Sequence, residues 1–242
     1  SSTASAGGNG SQATPFNNIR EALQDANPGT LIRVAAGTYG AVGSIRNLQG
    51  NAQAPIALVA DGEVIIDGAN NAMALRLSDA RYFIMDGITV QNTFPHGINI
   101  DDGGSYDTPS EFIVLRNMYF RNIGNGNNND CLKLSGVDNF YIENSEFENC
   151  NAGEAIDMVG CHDGVITGNY FHDMPRNAMN TKGGSANILI HGNRFVDIEQ
   201  RAINAGGSTG IAFFRPINAT YEGSQIQIVA NIFVRTGCIR WV

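Results

Sequence analysis

Asp130, Lys133, Glu154, Asp157, Lys182 and Arg201 are the side chains best suited to acid–base or electrostatic work. Asp130 and Glu154 are 24 positions apart, and so are Lys133 and Asp157. Two carboxylates brought side by side repel unless a proton or a cation lies between them. Calcium is the natural cation for such a group, because it accepts several carboxylate and carbonyl oxygens in flexible geometry. A lysine among them becomes a base only where its neighbours lower its pKa. A plainer arrangement is also open, in which Asp130 and Glu154 turn to water or pair with Arg201, Arg176 or Lys133, and Lys133 pairs with Asp157 across strands.

A repeat is what would bring these residues together. The pattern small, apolar, polar, apolar occurs as Cys131-Leu132-Lys133-Leu134, Ala155-Ile156-Asp157-Met158, Ala178-Met179-Asn180-Thr181 and Ala202-Ile203-Asn204-Ala205. Its second residues fall at 132, 156, 179 and 203, in steps of 24, 23 and 24. A second pattern follows it as Ile142-Glu143-Asn144-Ser145-Glu146-Phe147, Ile166-Thr167-Gly168-Asn169-Tyr170-Phe171 and Ile190-His191-Gly192-Asn193-Arg194-Phe195, in steps of 24. The copies lack a leucine-rich asparagine consensus and carry little helix-forming Ala, Glu or Lys, and they alternate over short runs as strands do. This pattern predicts a parallel β-helix. Gly168-Asn169 and Gly192-Asn193 would turn the chain at sharp bends, and stacked coils put like residues about 4.8 Å apart.

In each coil the middle polar residue should face outward, because its apolar neighbours face inward. That column reads Arg76, Asn99, Lys133, Asp157, Asn180, Asn204. Two positions on, a second reads Ser78, Asp101, Ser135, Val159, Lys182, Gly206, and just before the strand a third reads His96, Asp130, Glu154, Asn177, Arg201. Together they make a polar ribbon, which is the expected site. The steps from 98 to 132 and from 203 to 239 are longer, with insertions at 101–110, at 122–129 and around Phe214-Arg215-Pro216 to Tyr221. Insertions in a repeat array project as loops, commonly on the ligand-binding face. Phe94, Tyr106, Phe214 and Tyr221 lie in or near them, placed either to stack on a ligand or to pack within the loops. His162, His172 and His191 read as bend or surface residues.

One domain is expected over 1–242, with a flexible start at 1–13, a capping helix at 14–27 and coils over 30–242. Apolar residues at 16, 19, 22, 23 and 26 have helical spacing, and Asn27-Pro28-Gly29 stops the helix. Such a helix would cover the apolar end of the first coil. Strands are expected from Leu31, over 56–60 and over 64–68. The net charge of -8, from 23 acidic against 15 basic residues, argues against nucleic-acid and anionic-membrane partners. No run of about 18 apolar residues is present to span a membrane. The four cysteines lack C-x-x-C spacing. Cys131 and Cys238 share the small-residue column, so burial as small apolar groups is preferred to disulfides. The Ser/Gly-rich start resembles that of a processed secreted chain, so a secreted, extracellular or periplasmic monomer is expected.

The helix before the first strand, Ala35-Ala36-Gly37-Thr38-Tyr39, Val64-Ile65-Ile66-Asp67-Gly68 and the Asn/Gly bends together resemble the right-handed parallel β-helix superfamily of pectate lyases and related enzymes. Leu132-Lys133-Leu134-Ser135-Gly136 is similar to the Phe-Lys-Leu-Gly-Gly segment that carries the base in one calcium-dependent pectate lyase family. Gly153-Glu154-Ala155-Ile156-Asp157, followed by Thr181-Lys182-Gly183-Gly184-Ser185, resembles the acidic calcium segment and following basic position of the chondroitinase B and alginate lyase family. It departs from that family in three ways: its acidic residues are three apart instead of two, His162 stands where the lysine base is expected, and Lys182 replaces an arginine.

The resemblance implies an all-β, right-handed parallel β-helix with an N-terminal capping helix. It also implies a polysaccharide lyase that cleaves an acidic, uronate-containing polysaccharide by calcium-assisted β-elimination. In that reading Ca2+ sits on Asp130, Glu154, Asp157 and Asp101, and Lys133 takes the C5 proton. Lys182 or Arg201 meets the substrate carboxylate or the leaving group, and Arg76, Asn99, Asn180 and Asn204 bind substrate. Asn129-Asp130-Cys131 also partly resembles the Asp-Asp-Cys segment of polygalacturonases, although that family's Gly-His-Gly segment is missing. A hydrolase would use Asp130 with Glu154 or Asp157. The same fold and ribbon would also serve a C5-epimerase or a non-catalytic carbohydrate-binding solenoid.

Overall fold

The structure, a computed structural model, describes every residue of the chain except Tyr106, Asn127, Cys238 and Val242. The readings of Tyr106 as a stacking aromatic and of Cys238 as a small buried residue lie outside the described residues.

Short strands that alternate apolar and polar residues bury their apolar face only by stacking coil on coil. One strand from each coil forms a parallel eight-stranded sheet in chain order: Gly43–Arg46, Leu75–Ser78, Ile98–Asp101, Leu132–Ser135, Ile156–Val159, Met179–Lys182, Ile203–Ala205 and Arg240–Trp241. Its register aligns Ser44, Arg76, Asn99, Lys133, Asp157, Asn180, Asn204 and Arg240 in one column. The outward column expected from the repeat is therefore present in register. The rest of each coil enters a 13-stranded parallel sheet, and the architecture is an all-β parallel β-helix.

Inside, the buried Phe120, Phe147, Phe171 and Phe195 stack in turn, and the exposed Phe233 continues the stack, with ring centroids 4.8, 4.8, 4.9 and 5.1 Å apart, close to the strand spacing. An amide ladder runs beside them. Asn169 Nδ2 donates to Asn193 Oδ1 at 2.9 Å, and Asn193 Nδ2 donates to Asn231 Oδ1 at 3.0 Å. The Gly/Asn pairs thus divide their work: Gly168 and Gly192 take the left-handed backbone at φ +68° and +66°, while the asparagines bury their amides.

Three expectations change. The capping helix is Ile19–Gln24, shorter than 14–27, because Asn18 already caps it by accepting from Glu21 N at 2.8 Å and Pro28 disfavours helix just before itself. The two strands expected at 56–60 and 64–68 are one strand, Ile56–Asp67, with a register shift between Val59 and Val64. Cys131 and Cys150 form a disulfide with Cα atoms 5.6 Å apart, because the winding of one coil returns the chain across the interior after 19 residues. Cys161 is free and buried, as expected. Among the described residues, no helix is long and apolar enough to cross a membrane.

Candidate active-site cleft

Register alone brings the charged residues together. Lys133 and Asp157 are directly paired on adjacent strands, and Lys182 pairs with Val159 one coil on. The Lys133 ammonium lies 2.5 Å from Asp157 Oδ2 and 3.4 Å from Asp130 Oδ2, and the Lys182 ammonium lies 2.8 Å from Asp157 Oδ1. Asp157 is fully buried between the two lysines. Asp130 Oδ1 accepts from Glu154 N at 3.0 Å, Asp130 N donates to His96 Nδ1 at 2.9 Å, and Glu154 Oε1 accepts from Asn177 Nδ2 at 3.0 Å.

Burial on its own would raise the Asp157 carboxyl, but the charges of Lys133 and Lys182 outweigh it and hold the group below the usual range. Asp130 is pushed up by burial and by the Asp157 charge. Glu154 is pushed up by burial and by the charges of Asp130 and Asp157, which exceed the help from Asn177. For Lys133, burial would lower the pKa, yet Asp157 and Asp130 raise it above the ordinary lysine value. Burial and then the Lys133 charge hold His96 neutral, at about 4.

The insertion at 206–222 folds over the corner that follows these strands. Glu222 ties it down by accepting from Gly183 N at 2.7 Å and Thr209 N at 2.6 Å. Arg215 donates to Asp138 from Nη1 at 2.8 Å and from Nη2 at 2.9 Å, and to Gly160 O at 3.1 Å. Gly160 has φ +61°, and a Cβ there would stand 2.6 Å from Arg215 Cβ, so this approach requires glycine. His162 supports the clamp from behind, with Nδ1 2.9 Å from Asp138 Oδ1. Between strands and insertion lies a cleft of about 530 Å³, lined by Asp102, Lys133, Val159, Lys182, Phe213 and Arg215 among others. Phe213 stands 67% exposed at this wall, and Asp102 contributes a carboxyl that burial pushes up.

Asp130, Lys133, Glu154, Asp157 and Lys182 are thus brought together. Asn180 and Asn204 continue the column, both buried and bonded to each other at 2.7 Å. Arg76 pairs with Asp101 at 2.7 Å, and Asn99 donates to the same carboxylate at 3.4 Å. Four of the expected roles meet a different arrangement in the structure. The Lys133 ammonium sits against Asp157 and Asp130, whose charges raise its pKa, the opposite of the lowering a lysine base needs. Arg201 stays in the column of Asp130 and Glu154 and does not line the cleft, where Arg215 stands instead. Asp101 is held by Arg76 in another coil. The expected calcium set does not fit as arranged, since both Asp157 oxygens already face ammoniums and Asp130 Oδ1 is engaged by a backbone N–H. Among the described residues, no group of three or more His, Cys, Asp or Glu side chains is arranged to hold a metal ion. Sequence reasoning missed Asp102, Phe213 and Arg215, and the signal available for them was the two long repeat steps.

A family model described as "Right handed beta helix region" matches residues 108–239, more than half of the chain. No curated protein sequence matches. Among solved structures, the chain is similar to pectate lyase Pel9A, at 14% identity over 98% of this chain and 75% of that one, with a TM-score of 0.49. It is also similar to an alginate lyase from Paenibacillus sp. str. FPU-7, at 16% identity over 92% of this chain and 96% of that one, with a TM-score of 0.38. The periplasmic alginate epimerase AlgG is 12% identical over 89% of this chain and 61% of its own, with a TM-score of 0.49. Identities this low carry no activity across.

Proposed function

Because the chain belongs to the right-handed β-helix family, we propose that its cleft takes an acidic, uronate-containing polysaccharide and cleaves it by β-elimination. The observation that carries this reading is the convergence of Lys133, Lys182 and Arg215 on one cleft of a chain whose net charge is -8. On so acidic a molecule, a local group of cations is what a polyanion would need to approach. Phe213 offers an exposed ring face beside those cations, suited to the apolar face of a sugar.

In this reading the Lys133 and Lys182 ammoniums, both ion-paired with Asp157, neutralise the sugar carboxylate and acidify the proton at C5. Asp102, the carboxylate of the cleft wall, takes that proton. The electron pair left at C5 forms the C4–C5 double bond as the C4–O bond breaks, and the departing oxygen receives a proton from Lys182. Asp102 then returns its proton to Lys182 through water, so the enzyme is restored. The Cys131–Cys150 disulfide supports a secreted or periplasmic setting, where such bonds persist.

The test is ultraviolet absorbance of unsaturated uronate products over pectate, alginate and glycosaminoglycans. A rise on one polymer that falls about 100-fold or more in Asp102→Asn is expected. If no polymer gives a rise, elimination is overturned. Exchange of the C5 proton with solvent would then identify an epimerase, and affinity without either reaction a binding solenoid.

A further inference from the structure

Behind the cleft, the Lys133 ammonium lies between two buried acidic side chains, Asp157 and Asp130. It meets Asp157 Oδ2 at 2.5 Å and Asp130 Oδ2 at 3.4 Å. Asp130, Glu154 and Asp157 are between 0% and 5% exposed, so solvent does little to screen them. Buried carboxylates demand a counter-charge, and the Lys133 ammonium supplies it to Asp157 and Asp130. Asn177 borders the cluster through its amide nitrogen. Its Nδ2 donates to Glu154, while its Oδ1 is buried with no hydrogen-bond partner among the described residues. Carboxylate oxygens are the donor chemistry that calcium accepts, in flexible geometry. An ammonium and a calcium ion cannot both hold the same Asp157 and Asp130 oxygens.

We propose that the Lys133 ammonium is the built-in cation of this cluster, that it makes the protein independent of divalent metal, and that removing it opens a calcium site on Asp130, Glu154 and Asp157. This goes beyond the reading of the cleft and needs no substrate, so the two can fail separately.

Lys133→Met keeps most of the stem of the side chain and removes its charged end. The full chain, as wild type and as this variant, is titrated with calcium chloride by calorimetry and melted in calcium and in chelator. The wild type should give no saturable heat and the same Tm in both. Lys133→Met should bind one calcium ion and melt several degrees higher in calcium than in chelator. That gain should vanish when Asp130→Asn is added, and Lys133→Arg should respond like the wild type. Calcium binding of equal strength in wild type and Lys133→Met would overturn the proposal, as would a folded Lys133→Met that binds none. If Lys133→Met is unfolded in chelator, recovery of its fold by calcium supports the proposal. Failure of calcium to recover it, with Lys133→Arg folded, overturns it.

Discussion

Two columns of the same coils follow opposite rules. Inside, phenylalanine repeats from Phe120 to Phe195 and asparagine from Asn169 to Asn193, one residue type per column, and Phe233 and Asn231 carry both columns on toward solvent. Outside, the same register carries Arg76, Asn99, Lys133, Asp157, Asn180 and Asn204. Rings stacked at the strand spacing gain contact at every layer, and amides can donate to the next amide without limit. Like charges at about 4.8 Å repel, so a charged column must alternate sign or give way to amides. The inner columns therefore set the register, and the outer column is free to vary its chemistry on a frame it does not build.

That comparison predicts a ranking of effects. Phe171→Ala, which removes a ring with a partner on each side, should cost about 3–5 kcal/mol, read from the urea midpoint. Asp157→Ala removes a charged hydrogen bond from Lys133 and an ion pair with Lys182, lysines that can turn toward the cleft, and should cost about 1.5–3 kcal/mol. If Asp157→Ala proves the more damaging of the two, the outer column helps to set the register and the contrast fails. Asn193→Ala leaves Asn169 N and Nδ2 without their acceptor and should cost about 1–3 kcal/mol in thermal melts. At the bottom of the scale, Arg33→Ala breaks an exposed pair with Asp61 and should change stability by no more than about 1 kcal/mol.

The insertion sharpens the contrast through pH. Burial would raise the Asp138 carboxyl, but hydrogen bonds from His162 and Arg215, with the guanidinium charge, hold it below the ordinary range. Its folded pKa is thus lower than its unfolded one, near about 3.9. The clamp's contribution is complete above that unfolded value and is lost as pH falls through the folded one. Protease nicking within 206–222 should rise in that acid window in the wild type, whereas Asp138→Asn should be nicked at every pH.

The 23- and 24-residue steps were enough to read the strands, their register and the three polar columns, because each side chain's neighbour lies one coil away at a fixed spacing. The pairing of Lys133 with Asp157 was legible for the same reason. Nothing in the repeat said whether the carboxylates would meet a metal or an ammonium, since that depends on how a flexible lysine stem settles among three buried charges. Cys131 with Cys150 was hidden because a contact across the interior of one coil has no repeat spacing to announce it. Arg215, Asp102 and Phe213 were hidden because insertions break the period. Local alternation and a constant step were thus sufficient for the parallel β-helix and its polar ribbon. The lining of the cleft emerged only in three dimensions, because loop docking rests on long-range pairs such as Arg215 with Asp138, 77 residues apart, that no local pattern encodes.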